Sequence, residues 1–264
     1  MELNYIDIGV NLFDKQFKNK EDEIAKNSLD KKIGMIITGC SERSSGLASE
    51  YSKEKEGIWS TVGVHPHSAR FCNDKTIEKL KNMALENPNV VAIGECGLDY
   101  DRMFSLKNEQ TFWFERQIEL AEELNMPLFL HERSAADDFY KIMKRHKKIC
   151  PNSVVHCYTG DKGTVLRYLN LGCFIGITGW VCDDKRNKEL LDALTVIPVE
   201  RMMIETDAPY LTPRNLNLDR VNIPENIIYV AEKVAELKNM DVNEFIQIVY
   251  DNTINFFHLR KENV

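Results

Sequence analysis

Eight short runs rich in Ile and Val punctuate the chain, each followed by a longer amphipathic stretch. They are Tyr5 to Gly9, Ile33 to Gly39, Ile58 to Val64, Val90 to Glu95, Leu128 to His131, Val154 to Cys157, Phe174 to Ile177 and Met202 to Glu205. Apolar runs of this length alternating with helical periodicity describe strand-helix units around a parallel sheet. Eight is the count that closes such a sheet, and a spacing of roughly 20 to 40 residues suits one strand-turn-helix unit each, so we expect an α/β fold, a (β/α)8 TIM barrel. An open doubly wound sheet shares the alternation. Against it, the first turn lacks Gly-x-Gly-x-x-Gly, and ionisable residues end at least four runs instead of gathering at one switch point. Leu106 to Asn125 is expected to be helical, with Phe112 and Ile118 on an apolar stripe and Glu115, Glu119, Glu122 and Glu123 outside, stopped by Pro127. The tail is expected to form helices from about Pro224 to Leu237 and from Val242 to Phe257.

The 264 residues contain no Ser/Gly linker or composition break, and are read as one domain, 1–264. At 43% hydrophobic and 28% charged the composition is that of a globular protein, and no run approaches the roughly 18 apolar residues of a membrane span. The N-terminus shows no basic segment followed by an apolar one. Seven scattered cysteines without a Cys-x-x-Cys pair point to free thiols and a cytoplasmic setting. With 34 Lys plus Arg against 41 Asp plus Glu, net charge −7, the chain has no general basic coat for nucleic acid. Local phosphate binding through a metal and a few arginines remains open.

Of six histidines, His65, His67, His131 and His156 fall at or just beyond the C-terminal ends of expected strands, where barrel enzymes build their active sites. Glu95 closes the fourth run and Asp207 follows the eighth. Each histidine alone is more often a satisfied core or loop residue, but their joint placement points to a metal site. His131, His156 and Glu95 are enough to hold one divalent cation with positions left for water and substrate. Glu205 and Asp207, two apart, would face one side of an extended strand. Asp207 could then bind metal or take a proton from water, and Glu205 could orient another ligand, pair with an arginine, or form a buried salt bridge. Arg133 is placed to grip a phosphate bidentately. Tyr100, Arg102 and Phe104 form a loop able to stack on a base and contact a backbone, and Tyr158 and Trp180 are further stacking candidates. His146, in a basic helix end, and His258, in the tail, read as structural. No serine elbow, Walker loop or Cys-His pair offers a competing nucleophile.

Gly63-Val64-His65-Pro66-His67, Ile93-Gly94-Glu95-Cys96-Gly97-Leu98-Asp99-Tyr100 and Ile204-Glu205-Thr206-Asp207-Ala208-Pro209-Tyr210 resemble the TatD family of metal-dependent deoxyribonucleases. Val155-His156-Cys157-Tyr158-Thr159-Gly160, Gly176-Ile177-Thr178-Gly179-Trp180 and Arg220-Val221-Asn222-Ile223-Pro224 extend the match over nearly the whole chain. The resemblance implies a barrel of the metal-dependent hydrolase superfamily and nuclease activity on DNA, often 3′-5′ exonucleolytic and supported by magnesium. It marks Glu95, His131 and His156 as metal ligands, Asp207 as ligand or base, and His65, His67 and Arg133 as neighbours of substrate phosphate. Many family members open with Asp-x-His-x-His, whereas this chain reads Asp7-Ile8-Gly9-Val10-Asn11, similar to the family's TatD branch. Gly9 offers no ligand and Asn11 only an amide, so one firmly held cation is expected at Glu95, His131 and His156. A weaker second site would involve Glu95 and Asp207. Mg2+ comes from the resemblance; two imidazoles suit Zn2+ or Mn2+ better.

The expected reaction is metal-assisted phosphodiester hydrolysis of single-stranded DNA ends, and of RNA as a second substrate, by a monomer. Glu95 and Asp207 are its catalytic residues. The rivals are an ester or amide hydrolase such as an aminoacyl-tRNA deacylase, and a non-catalytic nucleic-acid-binding barrel.

Overall fold

The computed structural model describes residues 2–259. Eight parallel strands lie in sequence order: β1 (Tyr5–Val10), β2 (Ile33–Ile37), β3 (Ile58–Val62), β4 (Val90–Asp99), β5 (Leu128–Arg133), β6 (Ser153–Val155), β7 (Phe174–Ile177) and β8 (Met202–Ile204). Helices α1 (Glu21–Asp30), α2 (Glu42–Ser52), α3 (Thr76–Glu86), α4 (Lys107–Leu124), α5 (Ala136–Arg145), α6 (Lys162–Leu171) and α7 (Lys188–Leu194) fill the connections. α8 (Ile227–Lys238) and α9 (Val242–Phe256) follow the last strand. The (β/α)8 expectation therefore stands. Among the described residues no helix is long and apolar enough to cross a membrane.

The first and last strands close the barrel largely through side chains. Beyond one parallel bridge, Val10 to Ala208, and the Asn11 N–H donating to the Ala208 carbonyl at 2.7 Å, the seam is held by the carboxyl of Asp7. Its Oδ1 accepts from the Thr206 N–H at 2.9 Å, and its Oδ2 lies 2.5 Å from the Thr206 hydroxyl.

Several strand ends differ from expectation. β4 does not end at Glu95 but runs four residues further, to Asp99, while β6 stops at Val155, before His156. β8 ends at Ile204, and Asp207 has a left-handed φ of 55°, so extended-strand alternation does not bring Glu205 and Asp207 together. Both reach the same region from a loop. On α4 the buried face is Gln110, Phe114, Gln117, Ile118, Leu120 and Ala121, and Phe112, expected on the apolar stripe, is exposed.

That buried face carries two glutamines seven residues apart, two helical turns along one side. Gln117 accepts from Val64 N–H at 2.7 Å and donates to Val64 O at 3.1 Å, fixing the residue before His65. Gln110 does the same for the backbone of Asp99, at 2.9 and 3.0 Å. A buried amide that satisfies both the donor and the acceptor of a strand end costs no unpaired polar group, and it sets the depth of two site residues against one rigid helix.

Candidate metal centre

Glu95 sits at the centre. The β4–β5 register pairs Gly94 with Phe129 and then Cys96 with Leu130, so Glu95 is the extra residue of a bulge, a device that re-aims a side chain. Its own N–H donates across to Gly39 O at 2.7 Å. Beyond the bulge the strand alternates, placing Gly97 and Asp99 on matching sides. Gly97 is required by close approach: a Cβ there would lie 1.9 Å from the carbonyl oxygen of His131, and φ is +144°.

Three imidazoles converge on one oxygen. Glu95 Oε1 is 2.8 Å from His156 Nε2, 3.0 Å from His131 Nδ1 and 3.4 Å from His65 Nε2. Ligand atoms of His65, Glu95 and His131 all lie within 4.8 Å of one another, a spacing compatible with one cation. His131 Nε2 is buried without a hydrogen-bond partner, 3.4 Å from Asp99 Oδ2. A convergence of nitrogens and carboxylate oxygen that leaves a buried imidazole nitrogen unsatisfied fits a divalent metal. His156 also joins the cluster through Glu95. His67 sits one step out, its Nε2 2.7 Å from Asp99 Oδ2.

The other oxygen of Glu95 faces a second group. Glu95 Oε2 lies 3.3 Å from Cys40 Sγ, which is 3.5 Å from Asn11 Oδ1, while the Asn11 amide donates to Asp207 Oδ1 at 2.8 Å. Asn11 thus orients Asp207 through its nitrogen. Glu205, fully buried, backs the site: its Oε1 accepts the Cys157 N–H at 2.6 Å and its Oε2 lies 3.3 Å from His156 Nδ1. The open alternatives for Glu205 resolve to orienting a histidine. Phe129 forms the floor, its ring centroid 4.6 Å from that of His156.

Electrostatics follow the geometry. Burial opposes the charge on Glu95, but the imidazoles of His65 and His156 and the hydrogen bonds of His131 and His156 hold its carboxyl well below the usual range. Burial is likewise outweighed at His156, which Glu95 and Glu205 hold well above an ordinary imidazole. His65 is pushed down to about 3, chiefly by burial, and its Nδ1 accepts the His67 N–H at 3.0 Å, so it is a neutral imidazole. Asp207 is pushed up to about 7 by burial, with Glu95 and Glu205 adding to it against His156 and the Asn11 amide.

The remaining expected residues lie around this centre. Arg133, half-exposed on the end of β5, and the exposed Arg102 both face Asp101, Arg133 with Nη2 3.0 Å from Asp101 Oδ2. Tyr100 is engaged, its hydroxyl donating to Asp138 at 3.2 Å and its ring under the Lys107 ammonium at 4.0 Å. Phe104 is exposed and packs edge-on against His67 at 4.8 Å. Tyr158, expected to stack on a base, is buried, its hydroxyl on Asp161 O, and offers no face. His146 pairs with Glu122 at 3.2 Å, outside the site. Sequence reasoning missed Asp99 and Cys40, and left the orienting role of Glu205 as one of its alternatives. Only Asp99 had a readable signal, the two-residue spacing Glu95-x-Gly97-x-Asp99 on one strand.

Comparison with known proteins agrees with the geometry. The family described as "TatD related DNase" matches residues 6–258. A 3′-5′ ssDNA/RNA exonuclease TatD from Klebsiella pneumoniae (strain 342) is 44% identical, over 87% of this chain and 88% of its own length. The protein of the same name from Rahnella sp. (strain Y9602) is 41% identical over 96% and 98%. Among solved structures, the TatD homologue YJJV from Escherichia coli K12 superposes with a TM-score of 0.88, over 98% of this chain and all of its own, at 24% identity, a likeness of fold. With a family match over nearly its full length and relatives above 40% identity, the chain belongs to the TatD-related DNase family.

Proposed function

We propose that the protein is a divalent-metal-dependent 3′-5′ exonuclease acting on single-stranded DNA and RNA. The observation that carries the reading is the convergence of His156, His131 and His65 on one oxygen of Glu95, with Asp207 within reach on the other side. Substrate and polarity come from the names of the relatives.

In this reading Glu95, His131 and His156 hold one cation firmly and Glu95 with Asp207 a weaker second one, Mg2+ first and Mn2+ or Zn2+ as alternatives that two imidazoles favour. A bound cation supplies Lewis acidity toward a phosphoryl oxygen and a lowered pKa for water. Asp207, oriented by Asn11, accepts the proton of the attacking water. Glu205 keeps His156 turned so that Nε2 faces the centre. Arg133, now paired with Asp101, and His67, on Asp99, are proposed to meet the charge developing on phosphate, and the exposed Phe104 to stack on the terminal base. The seven free thiols support a cytoplasmic setting, and we propose a monomer.

The test is hydrolysis by metal-replete protein of end-labelled single-stranded DNA, RNA and an aminoacyl-tRNA, with Glu95→Ala as control. Stepwise loss of 3′ nucleotides from DNA or RNA, abolished in the variant, is the expected result. Release of amino acid alone would replace the reading with a deacylase, and binding without turnover would replace it with a non-catalytic barrel.

A further inference from the structure

A cavity of about 520 Å³ opens between the loops that follow β7 and β8, with Gln16 from the loop after β1 at its edge. It adjoins the metal centre through the backbone: Pro209 and Tyr210, two and three residues after Asp207, line it, and the Tyr210 N–H donates to Asp207 O at 2.9 Å. The two loops that wall it are locked together. A Cβ at Gly179 would lie 2.4 Å from Leu211 O, so only glycine lets the turn after β7 seat under the later segment, and Asn215 N–H donates back to Cys182 O at 3.2 Å.

The cavity is lined by an arginine stacked on a tryptophan. The guanidinium of Arg186 lies over the Trp180 ring at 4.0 Å, and its Nε donates at 2.7 Å to Asp183, a buried carboxylate that also lies 3.4 Å from Arg214. Trp180 Nε1 is buried with no partner. Arg186, Arg214 and Arg220 stand against Asp183 and Asp219, so the cavity is net positive on a chain of net charge −7. An arginine plane fixed on a tryptophan and tied by a buried carboxylate is a preorganised surface for a flat π-system, and nucleobases stack on such planes. The neighbouring arginines suit the phosphates on either side, and the volume admits a nucleotide.

We infer that this cavity is a second-nucleotide subsite: Arg186, held on Trp180 by Asp183, stacks the base next to the one being removed, while Arg214 and Arg220 contact its backbone. The inference rests on the exonuclease reading for the strand that crosses the mouth. It gives an acidic chain a local, net-positive contact for a polyanion beside the centre.

The experiment compares wild type with Arg186→Ala, a substitution at an exposed side chain, on two substrates. One is a short oligothymidylate; the other is the methyl ester of thymidine 5′-phosphate, which has a single nucleoside and no aromatic group beyond the scissile bond to fill the subsite. Binding is read in parallel by fluorescence anisotropy on a phosphorothioate oligothymidylate that resists cleavage. The expected result is a KM about tenfold or more higher on the oligonucleotide, matching weaker anisotropy binding, with kcat and ester hydrolysis unchanged. Equal losses on both substrates would assign Arg186 a structural role, and unchanged oligonucleotide KM and binding would remove the subsite while leaving the exonuclease reading standing. Conversely, if neither substrate is hydrolysed yet Arg186→Ala weakens oligonucleotide binding, the catalytic reading fails and the subsite survives. Arg186→Lys, which keeps charge but loses the plane, is expected to behave like the alanine variant; full recovery would overturn stacking.

Discussion

Glu205 Oε2 lies 3.3 Å from Nδ1 of His156, while Oε1 accepts the Cys157 N–H at 2.6 Å. The carboxylate is fully buried, and it fixes both the direction of the ring and the nitrogen that carries the proton. Replacement by glutamine tests this. The amide oxygen can still serve Cys157 N–H, which leaves the amide NH2 facing Nδ1 and forces that nitrogen to accept. The ring proton then moves to Nε2, where it blocks a metal. Glu205→Gln is expected to fold normally but to bind divalent cation about 10- to 100-fold more weakly, measured by calorimetry on stripped protein. Undiminished affinity would show that His156 does not need this partner.

The same carboxylate explains why the opening motif lacks its first histidine. A Cβ on Gly9 would lie 2.4 Å from Glu205 Oε2, and one on Gly176 would lie 2.4 Å from Oε1. Glycine at both places makes the slot into which Glu205 fits. Gly9→Ala is therefore expected to cost about 1 to 3 kcal/mol by overpacking a buried charge. In combination with Glu205→Ala the two costs should be strongly non-additive, because the clash is gone. Urea denaturation of the two single variants and the double variant gives the coupling. Simple additivity would mean that Gly9 and Glu205 do not share the slot.

How much of this was legible in the sequence depends on distance along the chain. The eight runs located the barrel because a strand buried on both faces must be apolar throughout. That Glu95, His131 and His156 would meet was readable because strand ends converge in this fold. What was not legible depends on contacts made in three dimensions: the bulge that turns Glu95 inward, the meeting of Cys40 with Asn11, and the closure of Glu205 over His156. Tyr158 shows the reverse error, since a tyrosine on a loop near the mouth reads as a stacking surface until its burial is known.

Asp207 is held by the Asn11 amide at 2.8 Å, and in the metal-free protein burial pushes its carboxyl up to about 7. Asp207→Asn keeps the shape and the ability to accept one hydrogen bond but cannot take a proton. Turnover of single-stranded DNA is expected to fall by a factor on the order of 10² to 10⁴. Affinity for a cleavage-resistant strand should be largely preserved. Undiminished turnover would take Asp207 out of the mechanism. Loss of binding along with rate would make it chiefly a ligand.

The seam between β1 and β8 gives a prediction about pH. Asp7 is fully buried, and burial pushes its carboxyl up to about 8 despite hydrogen bonds from Thr206 and the Gly9 N–H. In the unfolded chain an aspartate titrates near ~4. Between these values the folded protein keeps a proton that the unfolded chain releases, so the stability due to Asp7 is fully present below about pH 4 and declines as pH rises toward 8. Asn at this position is neutral at every pH. Its oxygen can accept from Thr206 N–H and Gly9 N–H, and its NH2 can donate to the Thr206 hydroxyl. Asp7→Asn is therefore expected to gain stability relative to wild type as pH is raised from about 5 to about 8, read from urea midpoints in chelator so that metal binding does not contribute. Asp7→Ala, which leaves the two buried N–H groups without acceptors, is expected to lose about 1 to 3 kcal/mol for each. A wild type that gains on the asparagine variant with rising pH would show instead that Asp7 is ionised in the seam.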